Sequence, residues 1–261
     1  MTGTVCPSLL AVAGQQALLN LVRQPALLAF DFDGTLAPLS EAPCAVYVSP
    51  PLAAALAHIS QRYPVAVISG RQLDDLVPRL GFQPTIVAGN HGAERPGDLA
   101  GQTRWERALD PARAILARYR AFLERAAIRV EDKRQSLALH FLGQPVPSAH
   151  VETFGALTSE LDAVARVFGG HRVVNVTPPA APNKGDVIAE TVRALGVAAA
   201  LYIGDDLTDE DVFSSAPSHW VTARVRPPAT GTAAHFRLDT QHEVVSVIAG
   251  LTRLIDAASH V

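Results

Sequence analysis

The chain contains 261 residues, of which 48% are hydrophobic and 18% are charged, and its formal net charge is −3. This apolar content excludes intrinsic disorder, and the length fits one large domain or a medium domain with a smaller partner. The slightly negative charge, without a run of Lys or Arg, argues against nucleic acid and anionic membrane surfaces as partners. We therefore expect a globular protein that acts on a small molecule.

Two features of the sequence predict a cytoplasmic protein. The only cysteines, Cys6 and Cys44, are too few for a disulfide scaffold, which indicates a reducing compartment. An apolar stretch near the N-terminus has no basic residue before Arg23, so it lacks the basic start of a secretory signal. No apolar run reaches the roughly 18–20 residues of a membrane-spanning helix, and we expect this stretch to be a first helix packed on the core.

Short apolar runs alternate with amphipathic helical stretches in the first and last thirds of the chain. The predicted strands cover residues 27–31, 65–69, 85–88, 199–203 and 221–225. The predicted helices cover residues 52–62, 71–80, 184–195, 209–213 and 243–257. This alternation is typical of an α/β fold, with βαβ units around a Rossmann-like parallel sheet.

The middle of the chain shows a different order of elements. A helix, two strands, a second helix and a strand are predicted at residues 111–127, 128–131, 136–141, 149–166 and 172–176. Turn-forming residues border this region at residues 94–102 and 177–185. The pattern favours an α+β domain with antiparallel strands, inserted at residues 96–178 into a core formed by residues 1–95 and 179–261.

Acidic residues follow two of the predicted parallel strands, at the carboxyl ends where open α/β sheets bind ligands. Asp31 and Asp33 leave the first strand on one side, and Gly34 lets the backbone turn after them. Residues 205–211 contain five acids in seven positions, which is more than a solvated turn requires. Crowded carboxylates need a cation, and oxygen ligands of this kind suit Mg²⁺. The candidate metal ligands are Asp31, Asp33, Asp205, Asp206 and Asp209.

The residue types at these strand ends suit phosphoryl transfer to a carboxylate. Asp31 would attack phosphorus, and Asp33 would protonate the leaving oxygen and then activate water. Thr35 or Ser69 would bind phosphoryl oxygens together with Lys184. Lys184 is one of only two lysines in a chain whose other basic residues are arginines, and its role requires a compact ammonium group. Candidate substrate-binding positions beside these motifs are Gly70, Arg71 and Asn183, the last also a plausible helix N-cap.

The sequence resembles the haloacid dehalogenase-like phosphatase superfamily, whose four motifs are present as DFDGT, VISGR, NKG and GDDLTDED. It further resembles the trehalose-6-phosphate phosphatase family through DFDGTLAPL, VISGR, VAGNHGAE, the EDK and LALHF stretches, NKGDVI and YIGDDLTDEDVF. The resemblance implies an αβ-type cap that closes over the sugar while the core handles the phosphate. It also implies a Mg²⁺-dependent enzyme of trehalose metabolism that releases trehalose from trehalose 6-phosphate.

The same resemblance implies that His91, Glu94, Glu131 and Lys133 contact the sugar. The sequence departs from the family at two sugar-binding positions. Leu142 replaces a basic residue that usually follows the LALHF block, and residues 172–177 offer only Asn175 where the family tends to have an acid. These departures concern the sugar and leave the phosphate chemistry unchanged.

Several alternatives stay open at this point. The same chemistry could act on sucrose phosphate, glucosylglycerol phosphate or a mannosyl-phosphoglycerate, and Leu142 keeps that alternative open. A non-catalytic sugar-phosphate sensor would be expected to lack Asp31 or Asp33, and both are present. A phosphomutase is less favoured because nothing marks the rebinding of an intermediate, and an ion pump would need membrane helices. The sequence does not indicate the oligomeric state.

Overall fold

The computed structural model describes residues 6–40, 45–141, 150–170, 172–228 and 230–258. Leu142 and Cys44 lie outside the described residues. The chain divides into two compact units, Met1–Gly92 with Asn183–Val261, and Ala93–Pro182. The sequence places the corresponding boundaries after residues 95 and 178.

Ten strands occur among the described residues. They are β1 (Ala26–Phe30), β2 (Val65–Ile68), β3 (Ile86–Ala88), β4 (Ile128–Asp132), β5 (Leu137–Phe141), β6 (Arg166–Gly170), β7 (Val173–Thr177), β8 (Ala199–Gly204), β9 (Val221–Val225) and β10 (Phe236–Leu238). The α-helices in the same ranges are α1 (Val12–Leu21), α2 (Pro50–Ile59), α3 (Leu73–Leu80), α4 (Leu99–Ala108), α5 (Asp110–Arg118), α6 (Arg120–Arg125), α7 (Val151–Asp162), α8 (Lys184–Leu195), α9 (Glu210–Ser215) and α10 (Gln241–Ala258). None of these helices has the length and apolar content needed to span a bilayer.

The first unit is built on a parallel sheet with the strand order β10-β9-β8-β1-β2-β3. Phe30 at the end of β1 lies opposite Val67 of β2 and Ile203 of β8, so these three strands end at one edge of the sheet. Every residue of β1, β2 and β8 is buried, which explains their unbroken apolar sequences. The expected α/β fold with a parallel sheet is confirmed.

Residues at both ends of helix α8 explain where the helix begins and ends. Asn183 at the N-cap accepts a hydrogen bond from the backbone N–H of Asp186, and the Asp186 carboxylate accepts one from the backbone N–H of Asn183. Gly196 ends the helix at a φ of 62°, a left-handed conformation that glycine adopts without strain. Both ends of the helix are therefore fixed locally.

The second unit contains an antiparallel sheet with the order β4-β5-β7-β6. Leu137, Leu139 and Val176 belong to a hydrophobic core that also includes residues of α5, α6 and α7. Because side chains alternate along a strand, Ala138 and Asn175 lie on the opposite face of the sheet, where the two residues are paired. One face thus supports the unit, and the other can present polar groups.

The structure differs from the sequence pattern at four places: β6, β10, α4 and the helix expected over residues 111–127. Strand β6 has the sequence RVFGG and β10 has only three residues, so neither shows the length or apolar alternation of a typical strand. Helix α4 begins in the turn-rich stretch after residue 94, where Asp98 caps it by accepting a 2.9 Å hydrogen bond from the N–H of Gly101. The single helix expected over residues 111–127 is two helices, α5 and α6, which meet at Tyr119.

Candidate active site

Asp31 occupies the carboxyl end of the central strand β1. Its backbone N–H donates a 2.9 Å hydrogen bond to the carbonyl of Ile203, which continues the sheet one residue beyond Phe30. The residue is only 4% exposed. The sheet therefore fixes the backbone that carries this carboxylate and excludes most of the water around it.

Lys184, the first residue of α8, bridges two buried carboxylates. Its Nζ lies 2.7 Å from Oδ1 of Asp31 and 2.7 Å from Oδ1 of Asp209. The side chain is 2% exposed. Burial alone would lower the pKa of Lys184, but the charges of Asp209 and Asp31 outweigh burial and raise the pKa above its ordinary value. Lys184 is therefore held in its charged form.

Three carboxylates converge beside this lysine. Asp31, Asp205 and Asp209 each offer an oxygen, and these oxygens lie within 4.8 Å of one another, so the group could hold a metal ion. Burial raises the pKa of Asp31 well above its ordinary value, and the charges of Asp209 and Asp205 add to the shift despite Lys184. Burial and the charges of Asp209 and Asp206 raise the pKa of Asp205 to about 7. Burial is the main cause of both shifts and neighbouring negative charge adds to it, and a bound divalent cation would favour the ionised carboxylates.

Two glycines make room for this cluster. A Cβ on Gly34, which has a φ of 78°, would collide with the carboxylate of Asp205. A Cβ on Gly204 would collide with the carboxylate of Asp209. Gly34 in DFDGT is thus required both for the turn and for the close approach of Asp205.

The other two candidate metal ligands direct their side chains elsewhere. Both carboxylate oxygens of Asp33 accept hydrogen bonds from Arg71, each at 2.7 Å. Asp206 accepts a 2.8 Å hydrogen bond from the backbone N–H of Leu207 and caps the short 3₁₀ helix Leu207–Asp209. The structure therefore brings together three of the five expected carboxylates.

Asp209 is held by more groups than the sequence predicts. Its Oδ1 accepts a 2.6 Å hydrogen bond from the hydroxyl of Tyr202 in addition to the bond from Lys184, and its Oδ2 accepts a 2.8 Å bond from the N–H of Asp206. Burial, followed by the charge of Asp209, raises the pKa of Tyr202 well above its ordinary value. The sequence analysis missed Tyr202, although it is the one hydroxyl in an otherwise apolar strand and could have been noticed for that reason.

The acidic run after β8 also contains a residue that serves the fold. Glu210 pairs with Arg224, and it accepts hydrogen bonds from the hydroxyl of Thr232 at 2.7 Å and from the N–H of Ala233 at 3.0 Å. These bonds tie the segment after β9 to the start of α9. The high density of acids in this run thus has a structural as well as a chemical origin.

Two arginines at the end of β9 hold Asp205. Nη2 of Arg226 lies 2.8 Å from Oδ2 of Asp205, and Nη2 of Arg224 donates to the backbone carbonyl of Asp205 at 3.2 Å. Neither arginine belongs to a motif identified in the sequence. Their position at the carboxyl end of the next parallel strand is the signal that could have found them.

Two candidate hydroxyls lie near strand ends of the same unit. Thr35 is fully buried, and its Oγ1 has no hydrogen-bond partner among the described residues. Its backbone carbonyl accepts a 3.0 Å bond from the side chain of Gln241. Ser69 is 1% exposed, and its Oγ accepts a 3.2 Å bond from the N–H of Arg71. An unpartnered buried hydroxyl is costly, so Thr35 Oγ1 is suited to a group that binds there.

Comparison with known proteins assigns the chain to a family. A family model described as trehalose-phosphatase matches residues 29–241, which include all of the candidate residues. The chain belongs to the trehalose-phosphatase family. This confirms the family predicted from the motifs.

The match covers different shares of the individual relatives in this family. The trehalose-phosphate phosphatase of Mycobacterium tuberculosis (strain ATCC 25618 / H37Rv) is 32% identical over 251 residues, which cover 91% of this chain and 64% of that protein. An uncharacterized glycosyl hydrolase of the same strain is 34% identical over 273 residues, covering 97% of this chain and 20% of that protein. The chain thus spans less than two thirds of the curated relatives named here.

A solved structure supports the fold. The C-terminal domain of C. albicans trehalose-6-phosphate phosphatase superposes with a TM-score of 0.76 at 23% identity. The match covers 97% of this chain and 99% of that chain. At this identity, the likeness establishes a shared fold.

The VISGR and VAGNHGAE blocks of the chain are joined by backbone hydrogen bonds. The N–H of Asn90 donates to the carbonyl of Arg71 at 2.8 Å, and the N–H of His91 donates to the carbonyl of Ser69 at 2.9 Å. A Cβ on Gly70 would lie 2.5 Å from Cε1 of the His91 ring, so glycine permits this packing. The structure thus brings Gly70, Arg71 and His91 together.

The remaining expected sugar-binding residues lie in the second unit. Glu94 belongs to this unit, near its start. Oε2 of Glu131 lies 2.7 Å from Nε2 of His140 on the neighbouring strand, and this hydrogen bond lowers the pKa of Glu131. Glu131 and Asn175 both pair with Ala138, so they lie on the same face of the sheet. Lys133 follows β4 in the turn to β5, where its N–H donates to the carbonyl of Ser136 at 2.9 Å.

Proposed function

We propose that the chain is a Mg²⁺-dependent phosphatase that hydrolyses trehalose 6-phosphate to trehalose and phosphate. The observation that carries this proposal is the buried Asp31 at the end of β1, 2.7 Å from the ammonium of Lys184 and beside two further carboxylates. Membership of the trehalose-phosphatase family supports the substrate. A cytoplasmic location, predicted from the cysteine content, is part of the same proposal.

In the first half-reaction, an oxygen of Asp31 attacks the phosphorus of the substrate. A bond forms between that oxygen and phosphorus, and the bond from phosphorus to the sugar oxygen breaks. Asp33 gives its proton to the leaving sugar oxygen, so the products are an aspartyl phosphate, an ionised Asp33 and the free sugar. Lys184 binds a phosphoryl oxygen, where negative charge accumulates, and Thr35 or Ser69 donates a hydrogen bond to another.

The second half-reaction returns the enzyme to its starting state. A water molecule attacks the phosphorus of the aspartyl phosphate while the ionised Asp33 accepts a proton from it. The bond between phosphorus and the Asp31 oxygen breaks, which releases inorganic phosphate and regenerates the carboxylate. Asp33 ends protonated, ready for the next substrate.

The carboxylates of Asp31 and Asp205 would hold Mg²⁺, together with the backbone carbonyl of Asp33. The fit rests on the donor set, because these are hard oxygen ligands, and burial together with the neighbouring carboxylates raises their pKa values. When bound, the ion reduces repulsion between the attacking carboxylate and the phosphate. We assign Asp209 to the support of Lys184, because its oxygens already accept three hydrogen bonds.

The second unit is proposed to determine the sugar. Glu131, Asn175 and Lys133 offer a carboxylate, an amide and an ammonium group, which suit the hydroxyls of a disaccharide. The placement of Glu131 and Asn175 on one face of the sheet supports this role. Asn175 can both donate and accept hydrogen bonds, unlike the acid typical of the family, so this position is the one to examine for a changed sugar preference.

Phosphate release from a panel of sugar phosphates tests the proposal directly. The panel contains trehalose 6-phosphate, sucrose phosphate, glucosylglycerol phosphate and mannosyl-phosphoglycerate, each with Mg²⁺ and with a chelator, and Asp31→Asn serves as the inactive control. We expect the highest kcat/KM for trehalose 6-phosphate and loss of activity with the chelator. A higher kcat/KM for another member would reassign the substrate, and equal activity of the control would contradict the mechanism.

A further inference from the structure

Arg71 is bound by carboxylates on two sides of its guanidinium group. Its Nε and Nη2 donate to the two oxygens of Asp33, each at 2.7 Å, and its Nη1 donates to Asp75 at 2.6 Å. The guanidinium carbon also lies 5.3 Å from the centre of the Phe32 ring, and Phe32 is fully buried. The bidentate edge that an arginine would offer to a phosphate is therefore occupied by Asp33.

A second arginine, Arg79, lies on the same helix as Asp75 and shares its carboxylate with Arg71. Asp75 of α3 accepts hydrogen bonds from Nε and Nη2 of Arg79, at 3.0 and 2.5 Å, while it accepts the bond from Arg71. Arg79 also donates to the backbone carbonyl of Val46 at 3.1 Å. Burial tends to raise the pKa of Asp75, but the bonds from Arg79 and Arg71 outweigh burial and lower it. Asp75 is thus an ionised bridge that orients Arg71.

The contacts of Asp33 explain why it needs such support. Its side chain is 36% exposed, against 6% for that of Asp31. Both of its oxygens are directed to Arg71 and remain outside the Asp31, Asp205 and Asp209 cluster. The two bonds from Arg71 are those of the ionised form, and on protonation the carboxyl group can still accept one of them while it donates its O–H. A group that transfers a proton must be held at the correct distance and angle from the leaving oxygen, which a freely rotating side chain would not be.

We propose that Arg71 is a positioning residue that, with Asp75, fixes the carboxylate of Asp33 for proton transfer to the leaving group, rather than a residue that binds substrate. The inference rests on the proposed function, in which Asp33 is the acid. It replaces the expectation from the sequence that Arg71 contacts the substrate.

Two aryl phosphates test this role without involving any sugar contact. Phenyl phosphate and p-nitrophenyl phosphate are similar in size, but phenolate is the stronger base and depends more on a proton from the enzyme. The value of kcat/KM reports steps up to formation of the aspartyl phosphate, so the later water step does not enter. For Arg71→Lys, which keeps the charge and loses the bidentate contact, we expect kcat/KM to fall at least about tenfold with phenyl phosphate and less than about threefold with p-nitrophenyl phosphate.

Arg79→Lys is the matched control. Arg79 bonds to the same Asp75 and has the same 11% side-chain exposure as Arg71, but it bonds to the backbone carbonyl of Val46 where Arg71 bonds to Asp33. It should lower both rates by the same small factor. If Arg71→Lys proves unstable in thermal melting, Asp75→Asn provides a second variant, which leaves both arginines in place and should show the same leaving-group dependence to a smaller degree.

The outcomes separate this inference from the proposed function. Asp33→Asn should show a larger loss with phenyl phosphate than with p-nitrophenyl phosphate, and its failure to do so would overturn the proposed role of Asp33 itself. If that variant behaves as expected but Arg71→Lys lowers both aryl rates equally, Arg71 binds the phosphoryl group and the inference is wrong. A loss seen only with trehalose 6-phosphate would instead assign Arg71 to the sugar and would equally overturn the inference.

Discussion

Asp31, Lys184 and Asp209 at the edge of the parallel sheet are buried and bonded to one another, whereas Glu131 and His140 on the polar face of the antiparallel sheet are partly exposed. Lys184 is 2% exposed and Asp209 is fully buried, while the side chain of Glu131 is 41% exposed and that of His140 is 28% exposed. Charges interact more strongly where water is excluded, and exposed pairs are screened. The first region therefore holds its charges in fixed positions. Substitutions in the second region should change the free energy of unfolding less.

This difference predicts the largest effect for the nucleophile. Asp31→Asn is nearly isosteric and should keep the fold, but turnover of trehalose 6-phosphate should fall by several orders of magnitude because the covalent route loses its attacking group. Steady-state phosphate release measures the effect. A purified variant that kept about a tenth of the wild-type activity would be incompatible with the covalent mechanism.

Substitution of the two lysines of the chain compares the contributions of one charge in each region to the free energy of unfolding. Lys184→Met keeps the length of the side chain but leaves Asp31 and Asp209 buried without their cation, so it should lower the free energy of unfolding by about 3–5 kcal/mol. Lys133→Met, in the turn between β4 and β5, should change it by less than about 0.5 kcal/mol. Denaturant unfolding of both variants without metal gives the comparison, and similar values for the two would show that burial does not distinguish these sites.

Two tyrosines make the same bond in the two regions. The hydroxyl of Tyr202 donates to Asp209 at 2.6 Å inside the first unit, and that of Tyr119 donates to Glu160 at 2.7 Å on the surface of the second. Tyr202→Phe should cost about 1.5–3 kcal/mol of unfolding free energy, because a hydrogen bond to a buried charge is lost. Tyr119→Phe should cost measurably less, since water can replace its bond. Equal costs would mean that the distance between the oxygens decides the energy and burial does not.

The second region should affect the choice of substrate and leave the chemistry unchanged. Glu131→Ala or Lys133→Ala should lower kcat/KM for trehalose 6-phosphate by about one to two decades, because hydrogen bonds with a charged partner are worth roughly 1.5–3 kcal/mol. The rate with p-nitrophenyl phosphate should barely change, since it lacks sugar hydroxyls. Asp132→Ala is the control, because Asp132 lies on the other face of β4 and bonds to Arg113.

Equal losses of kcat/KM with both substrates would indicate that Glu131 and Lys133 act on the phosphoryl group and not on the sugar. If kcat/KM falls with neither substrate, Glu131 and Lys133 are solvated residues of a strand end and its turn and do not bind substrate. In that case, Leu142 and Asn175 would remain as signs of a different sugar, and the panel of sugar phosphates would decide which one.

The fold was most predictable where burial is complete. Continuous apolar runs identified β1, β2 and β8, because a strand covered on both faces favours apolar side chains along its whole length. β6 and β10 lack this signal, since one ends in two glycines and the other is three residues long. Their strand conformation depends on pairing with neighbours, which a local pattern does not contain.

The site was predictable in its residue types and less so in its contacts. Asp31 and Lys184 were identified from their motifs and from the rule that ligands bind at strand ends. The bonds from Arg71 to Asp33 and from Arg226 to Asp205 were not, because each joins segments that are distant in sequence. Spacing along the chain shows which groups are present, but the folded structure decides which of them are already paired.

The smallest expected effect is the pH dependence of the Glu131–His140 pair. The hydrogen bond from His140 lowers the pKa of Glu131 below its ordinary value of 4.5, although burial opposes the shift. A lowered folded-state pKa contributes stability that is present above pH 4.5 and is lost as the pH falls through the folded-state value.

His140→Phe should therefore raise the pKa of Glu131, which NMR titration of its carboxyl carbon measures. The variant should also lose less unfolding free energy than the wild type as the pH falls. Because the pair is partly exposed, the stability difference should stay below about 1 kcal/mol. An unchanged pKa in the variant would assign the shift to Lys133 and Arg129, whose charges also lower it.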